Sequence, residues 1–182
     1  KRSGVFVAGI ELNDKAAEVA KTVLDDVVQG SIEDMDLPYS DRSFDCILFA
    51  DVLEHLVDPL SALIKVRRLL KKGGTVVASI PNVQFHGVIH KLIEGNWTYE
   101  KEGILDETHI RFFTYKEIVK LFNQAGYSIE AVEEVLDPQY EKLSSMNSTA
   151  INFGRTKIKD LSPEEIKRFF VFQYKIVVSP TN

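Results

Sequence analysis

The first half of the chain alternates between short apolar runs and amphipathic stretches. The runs "GVFVAGIEL", "DDVVQGSI", "FDCILFA" and "TVVASIP" are apolar and rich in β-branched residues, which predicts four strands. Helical spacing follows the first run, where Asn13 or Asp14 can cap a helix that extends to about Val23. A second helix follows the third run; it begins at Asp58-Pro59, a favoured cap and first-turn pair, and residues 71–74 are expected to close it. The order strand, helix, strand, strand, helix, strand is typical of α/β proteins. It predicts a parallel sheet with crossover helices.

The second half of the chain has a different pattern. Residues 83–113 combine a helix with a polar, aromatic-bearing segment, which we interpret as an insert. Thr114 with Glu117 predicts a capped helix, and residues 162–165 predict another. Residues 137–160 lack periodicity and are expected to form a long surface loop or lid. The runs "YSIEAVEEV" and "RFFVFQYKIVVSP" predict two late strands, which we expect to pair antiparallel at one sheet edge.

Composition indicates one globular domain over residues 1–182, with 45% hydrophobic and 27% charged residues. The net charge of -5 argues against a protein that grips nucleic acid backbones, because those proteins need a basic face. There is no apolar run long enough to span a bilayer and no secretory signal pattern. The single cysteine, Cys46, lies in an apolar strand pattern, which predicts a buried thiol in a reducing compartment. We therefore expect a cytoplasmic protein, and the sequence leaves a homodimer open.

Acidic residues follow several of the predicted strands. In open α/β sheets, ligands bind beyond the carboxyl ends of the strands. Glu11 ends the first run, and a carboxylate there can accept hydrogen bonds from both hydroxyls of a ribose. Ser31, Ile32 and Glu33 follow the second run, where an apolar side chain beside a carboxylate suits an adenine. The alternatives are a solvated carboxylate at position 11 and an ordinary polar turn after the second strand.

The segment after the third strand crowds three polar groups into five residues: Asp51, Glu54 and His55. His55 is the best candidate for a catalytic base, because an unperturbed histidine titrates near neutral pH. The alternative is a histidine that binds a backbone carbonyl ahead of the helix cap. His109 is the second catalytic candidate. With Arg111 it forms a polar cluster that either binds substrate or ties down its own loop.

Two further sets of side chains are candidates for a functional role. His86 and His90 have metal-ligand spacing on a predicted helix, but no carboxylate or cysteine nearby in the sequence completes a set. We therefore expect no metal site. Trp97, Tyr99 and Phe112 flank the predicted insert, where they either shape an acceptor pocket or pack the insert onto the domain.

Three pieces of the chain carry a family resemblance. They are "GIEL", "GSIEDMDLPYSDRSFDCILFADVLEHLVDP" and "LLKKGGTVVASIPN", and the later segment "THIRFFTYKEIVKLFNQAGY" adds to them. Together they resemble the class I S-adenosylmethionine-dependent methyltransferases, with the closest likeness to small-molecule and cell-envelope members. The resemblance covers nearly the whole chain.

The resemblance implies a Rossmann-like, doubly wound, mostly parallel sheet of seven strands with an antiparallel last strand. It also implies that S-adenosylmethionine is the cofactor. By position, Glu11 would hold the cofactor ribose, and Ile32-Glu33 would border the adenine. Ala50, Asp51 and Val52 would lie along its methionine part. His55 would sit close to the reacting end.

The sequence departs from this family in one respect. The family has a strand, a glycine-rich turn and a helix before the position of Glu11, and these do not precede Glu11 here. A sheet without that strand would leave backbone groups of two interior strands unpaired. We expect that the segment lies upstream of Lys1. The other options are that another chain supplies it or that the sheet is rearranged.

Three functions fit these observations. The first is a methyltransferase that acts on a small molecule or on a cell-envelope sugar or lipid precursor. The second is a non-catalytic methyltransferase-like module of a larger biosynthetic protein. The third is a nicotinamide-dependent dehydrogenase, because Glu11 could hold that ribose too; the late antiparallel pair and the "VLEHL" segment weigh against it.

Overall fold

The computed structural model describes residues 4–146 and 148–181. The chain forms two compact units, Lys1–Ser40 and Asp41–Asn182, and each is described by itself. The expectation of one domain over 1–182 therefore stays a prediction. No helix among the described residues is long and apolar enough to cross a membrane.

The first unit is a small parallel β-α-β arrangement. Its elements are β1 (Ala8–Glu11), α1 (Asp14–Ala20) and β2 (Asp26–Gln29). The two strands pair in parallel, so Glu11 lies opposite Gln29. Helix α1 begins where the sequence predicts, because the side chain of Asn13 accepts hydrogen bonds from the main-chain nitrogens of Lys15 and Ala16, each at 3.0 Å. It ends at Ala20, about one turn earlier than predicted.

The second unit contains the remaining strands and helices. They are β3 (Phe44–Ala50), a 3₁₀ turn (Leu53–His55), α2 (Pro59–Arg67), β4 (Leu70–Pro81), α3 (His86–Ile93), α4 (Tyr115–Gln124), β5 (Tyr127–Leu136), α5 (Gln139–Ser144), β6 (Ile151–Phe153), β7 (Thr156–Ile158), α6 (Pro163–Arg168) and β8 (Val171–Pro180).

The sheet of the second unit has the order β3-β4-β8-β5. Strands β3 and β4 are parallel, as the crossover through α2 requires. Strand β8 runs antiparallel to both of its neighbours, β4 and β5. The predicted antiparallel pair and the mixed α/β sheet are confirmed. Cys46 is exposed, so the prediction of a buried thiol is wrong. The reason is that β3 is an edge strand of this four-stranded sheet.

The core of the second unit lies between the sheet and helices α2 and α4. Leu63, Phe122, Tyr127 and Tyr174 are among its largest fully buried side chains. The Tyr127 hydroxyl donates a hydrogen bond of 3.0 Å to the Leu63 carbonyl, which ties β5 to α2. Helix α2 starts as predicted, because Asp58 accepts from the Ser61 main-chain nitrogen at 3.0 Å.

Two local predictions about helix ends are wrong. Residues 71–74 do not close a helix, because α2 ends at Arg67 and β4 already starts at Leu70, which pairs with Phe44. Thr114 makes no side-chain capping bond, although α4 does begin directly after it. The capping box predicted at 162–165 is present.

The segment 137–160 has more structure than its sequence suggests. It contains α5 and the β6–β7 hairpin; Asn147 lies outside the described residues. Ile151 and Phe153 point into a buried cluster with Ile166, Phe169 and Phe170. Strands of three residues are too short for a periodic pattern to reveal them, and they form here because two side chains of β6 have a core to enter.

Gly126 supplies a test of how α4 is joined to β5. Its φ is +80°, and a Cβ there would lie 2.7 Å from Nη1 of Arg67. We predict that Gly126→Ala lowers the free energy of unfolding by about 1–2 kcal/mol from the left-handed backbone alone, and by more from the contact. Urea unfolding of both variants is the measurement. Gly103→Ala is the matched control, because Gly103 has φ +95° and nothing within 4 Å of its Cβ position. Equal losses in the two variants would contradict the role of the Arg67 contact.

Candidate active site

The carboxyl end of β3 is held in an unusual backbone conformation. Asp51 has φ +53°, which is uncommon for a residue with a side chain. Its main-chain nitrogen donates to the Ser79 hydroxyl at 3.0 Å, and its carboxylate accepts from the amide of Gln173. Neighbours on β4 and β8 therefore fix the turn that follows β3. Such conformations cluster at functional sites.

Glu54, in the 3₁₀ turn after β3, is buried with only 1% of its surface exposed. Neither carboxylate oxygen has a hydrogen-bond partner among the described residues. Burial raises the pKa of Glu54 to about 7, and the negative charge of Asp51 adds to the shift. Burying a carboxyl group without a hydrogen-bond partner costs free energy, which makes this turn a candidate functional site.

The main chain of Glu54 has a separate task. Its carbonyl oxygen accepts hydrogen bonds from the main-chain nitrogens of Ile110 and Arg111, both at 3.0 Å. The Arg111 guanidinium in turn donates to the Val57 carbonyl. These bonds dock the 104–113 loop onto the turn after β3. Of the two roles predicted for Arg111, the attachment of its own loop is therefore present. Its hydrogen-bond partners are the carbonyls of Glu54 and Val57 instead of an acidic side chain.

The docked loop brings together the two histidines predicted as catalytic. The rings of His55 and His109 are 4.7 Å apart in an edge-to-face arrangement. His55 Nδ1 lies 3.1 Å from the Thr108 carbonyl, and His109 Nδ1 lies 3.0 Å from the Ile104 carbonyl. A carbonyl can only accept, so Nδ1 carries the proton in both rings. In the neutral form of a ring with this tautomer, Nε2 keeps its lone pair.

The side chains of His55, His109 and Glu54 differ in their exposure to solvent. His55 is exposed, whereas His109 is buried with 7% exposure. His109 Nε2 lies 4.0 Å from the nearer carboxylate oxygen of Glu54. A group that reaches His55 from outside would therefore meet two imidazole lone pairs and a buried carboxyl group. Such an arrangement can hold a hydroxyl group or a cation.

An open cleft of about 570 Å³ lies in the same unit. Val88, Leu92, Trp97 and Phe112 give it an apolar wall, and the rings of Trp97 and Phe112 are 5.3 Å apart. The wall continues into a buried cluster that includes Ile104, whose carbonyl binds the ring of His109. Trp97 and Phe112 thus both pack the insert and line a cleft. Tyr99 is half exposed and does not line it.

Asn82, at the end of β4, has a structural role that the sequence did not reveal. It is fully buried, and its amide donates to the carbonyls of Arg168 and Val171 at 3.0 and 2.7 Å. Its side-chain oxygen accepts from the Gln84 main-chain nitrogen at 3.0 Å. Asn82 therefore joins β4 to the α6–β8 connection. A polar residue directly after a strand-ending proline was the one available signal.

The predicted ribose and adenine residues lie in the first unit, at the carboxyl ends of β1 and β2. One oxygen of Glu11 accepts from the Asn13 main-chain nitrogen at 2.8 Å; the other has no partner among the described residues. The Gly30 nitrogen donates to the Glu11 carbonyl at 2.9 Å, which places Ser31 next to this strand end. The Ser31 hydroxyl accepts from the Glu33 nitrogen at 3.1 Å. The half-buried carboxylate of Glu11, with one oxygen uncommitted, fits a ribose hydroxyl.

The other predicted cofactor residues lie in the second unit. Ala50 and Asp51 are exposed at the carboxyl end of β3, and Val52 is half-buried before the 3₁₀ turn. Their carbonyl and carboxylate oxygens suit a positively charged group. Ile32, beside Ser31 in the first unit, is half-buried. The cofactor roles of all these residues stay predictions.

Comparison with known proteins identifies the family. The model of the methyltransferase domain matches residues 1–132. The chain belongs to this family of S-adenosylmethionine-dependent methyltransferases. The class I resemblance, the Rossmann-like fold and the cofactor expected from it are thereby confirmed, and the dehydrogenase alternative loses its support.

Curated relatives agree at low identity. A ubiquinone biosynthesis O-methyltransferase from Aromatoleum aromaticum is 25% identical over 83% of this chain and 67% of its own length. An enzyme of the same name from Cereibacter sphaeroides is 32% identical over 50% of this chain and 37% of its own length. The chain therefore spans only part of the relatives it matches.

Solved structures share the fold of this methyltransferase. An S-adenosylmethionine-dependent methyltransferase from Thermotoga maritima matches 94% of the chain and 72% of its own, with a TM-score of 0.62 and 21% identity. Another from Mesorhizobium loti matches 95% of the chain and 80% of its own, with a TM-score of 0.56 and 16% identity. At these identities the likeness establishes the fold alone.

The role of Asn82 in joining β4 to the α6–β8 connection can be tested by substitution. We predict that Asn82→Ala lowers the free energy of unfolding by about 2–4 kcal/mol, because two buried carbonyls lose their donor. Denaturant unfolding followed by circular dichroism is the measurement. Asn152→Ala, on the exposed side of β6, is the matched control and should change stability by less than about 0.5 kcal/mol. Similar losses in both variants would show that Asn82 does not join these elements.

Proposed function

We propose that this methyltransferase methylates an oxygen atom of a small molecule that has an apolar body. The observation that carries the proposal is the edge-to-face pair of His55 and His109, each bound through Nδ1 to a carbonyl, in the same unit as a cleft with an apolar wall. The proposed acceptor class includes the lipid precursors expected from the sequence. The names of the relatives in ubiquinone biosynthesis support transfer to oxygen.

Each group of the site has a distinct proposed role. S-adenosylmethionine, when bound, supplies a methyl group on a positively charged sulfur, so attack by the acceptor oxygen forms a C–O bond as the C–S bond breaks and sulfur keeps the electron pair. Glu11 holds the ribose of this cofactor through its carboxylate. Ala50, Asp51 and Val52 present oxygens to its cationic part. His55 accepts the hydrogen bond of the acceptor hydroxyl and orients the oxygen for in-line attack, and the hydroxyl proton leaves to the solvent to which His55 is exposed.

The cleft sets the proposed specificity. A volume of about 570 Å³ admits a ring with an attached chain, and its apolar wall would bury that chain. Trp97 and Phe112 offer aromatic faces for stacking. Ile104, whose carbonyl binds the ring of His109, packs in the buried cluster behind this wall, and neither histidine lines the cleft.

Cofactor binding and methyl transfer test this proposal. We predict that the chain binds S-adenosylhomocysteine with micromolar affinity in a calorimetric titration, and that Glu11→Gln weakens binding about tenfold, or about 1.4 kcal/mol. We also predict transfer of radiolabelled methyl from S-adenosylmethionine to aromatic hydroxyl compounds that carry an alkyl chain, in preference to the same compounds without the chain.

Glu18→Gln is the matched control for the binding measurement. Glu18 is exposed on α1 and pairs with Lys21 at the surface, so the affinity of the Glu18→Gln variant for S-adenosylhomocysteine should equal that of the unmodified chain. A folded chain that does not bind S-adenosylhomocysteine at millimolar concentration would contradict the proposal. So would a tenfold loss of affinity in Glu18→Gln.

A further inference from the structure

Glu54 places two carboxylate oxygens in the interior without a hydrogen-bond partner among the described residues, close to the imidazoles of His55 and His109. We propose that Glu54, His55 and His109 bind a divalent transition-metal ion, and that this ion holds the acceptor oxygen. The metal site stands on its own geometry, whereas the acceptor role rests on the proposed function.

The spacing of the ligand atoms supports an ion at this position. One ligand atom from each of Glu54, His55 and His109 lies within 4.8 Å of the other two. Zinc bonds to histidine nitrogen and carboxylate oxygen are about 2.0–2.2 Å long. The three atoms therefore surround a space that an ion can fill after they draw inward by about 1 Å.

The second shell of the site is already in place. A metal-binding histidine usually donates its other ring nitrogen to a carbonyl or carboxylate, which fixes the ring and the tautomer. His55 does this to the Thr108 carbonyl at 3.1 Å, and His109 does it to the Ile104 carbonyl at 3.0 Å. Both imidazoles are therefore oriented with Nε2 ready to coordinate.

Burial gives the strongest physical reason. Glu54 is 1% exposed, and a carboxylate in such surroundings needs a cation or donors to compensate for its lost hydration. No hydrogen-bond donor from another described residue reaches either oxygen. A divalent ion would supply the missing positive charge. The exposed edge of His55 gives the ion an entry path.

The ligand set indicates which ions would bind. Two imidazoles with one carboxylate suit zinc and the other late first-row divalent metals, and three protein ligands leave coordination positions open. An acceptor hydroxyl could occupy an open position. The ion would then polarise that oxygen, and His55 would hold the acceptor through the ion instead of directly.

The other histidines have smaller ligand sets. His86 lies 3.3 Å from one carboxylate oxygen of Asp137, and His90 lies 3.5 Å from one of Glu94. Each is one imidazole with one carboxylate. The expectation of no metal rested on His86 and His90, and for these two residues it stays a prediction. Histidines that meet only in the folded chain could not be assessed from sequence spacing.

Titration of the chelator-treated chain with Zn²⁺ and Co²⁺ tests the proposal. Calorimetry should show one zinc per chain, and Co²⁺ should give the visible absorption of a low-symmetry site. We predict that His55→Ala weakens zinc binding at least tenfold. His90→Ala is the matched control and should leave the affinity unchanged, because its side chain lies outside the cluster.

A second variant reads out coordination directly. In His55→Cys a coordinating thiolate should add a near-ultraviolet charge-transfer band to the Co²⁺ spectrum, and the unmodified chain, which also contains Cys46, should lack that band. Absence of zinc binding by the unmodified chain would overturn the proposal. So would equal losses in His55→Ala and His90→Ala, or a His55→Cys spectrum without the band.

The metal and the methyl-transfer proposals can fail separately. S-adenosylhomocysteine binding does not involve the ion, so it should persist after chelator treatment. Loss of methyl transfer in chelator, with return on adding Zn²⁺, would support the ion's role at the acceptor. Full transfer in chelator would overturn that role and leave the methyltransferase proposal standing.

Discussion

The main-chain carbonyl of Glu54 is the contact on which the candidate site depends. It accepts the main-chain nitrogens of Ile110 and Arg111, and so attaches the 104–113 loop to the turn after β3. Without this attachment His109 would not reach His55, and the Thr108 carbonyl would not fix the His55 ring. The same residue carries a buried carboxyl group. One short turn thus supplies both the structural anchor and the chemical group that most needs a partner.

The turn itself is placed by the sheet. Asp51 adopts a left-handed conformation that Ser79 and Gln173 hold from β4 and β8. Helix α2 then starts at Pro59 after the Asp58 cap. The segment between these fixed points is short, so it has little freedom. This explains how an interior carboxyl group can persist there: the surrounding structure over-determines its position.

Much of the fold could be predicted because hydrophobic patterns that extend over many residues indicate its strands and helices. The β3 strand and the start of α2 follow from an apolar run and from Asp58-Pro59. The start of β4 could not be predicted, because residues 71–74 contain only lysine and glycine and lie at a register shift between the pairs Leu70–Phe44 and Thr75–Cys46. The β6–β7 hairpin was not predicted, because its strands are too short to show a periodic hydrophobic pattern.

The site was predictable only in part. His55 and His109 were both selected from local polar crowding, and the structure brings them together. Their proximity, and the burial of Glu54, depend on how a distant loop docks. Periodicity and spacing report neighbours along the chain, so they could not supply this. The structural role of Asn82 was not predicted for the same reason, because its hydrogen-bond partners are distant in sequence, at α6 and β8.

The most direct test of this account is the protonation pattern of the two imidazole rings. Long-range ¹H–¹⁵N NMR spectra of the ¹⁵N-labelled chain, assigned with His55→Ala and His109→Gln, distinguish the two neutral tautomers. The account predicts that both rings carry the proton on Nδ1, with Nε2 unprotonated. Rings protonated on Nε2 would show that the carbonyls of Thr108 and Ile104 do not hold them, and would contradict the account of the site.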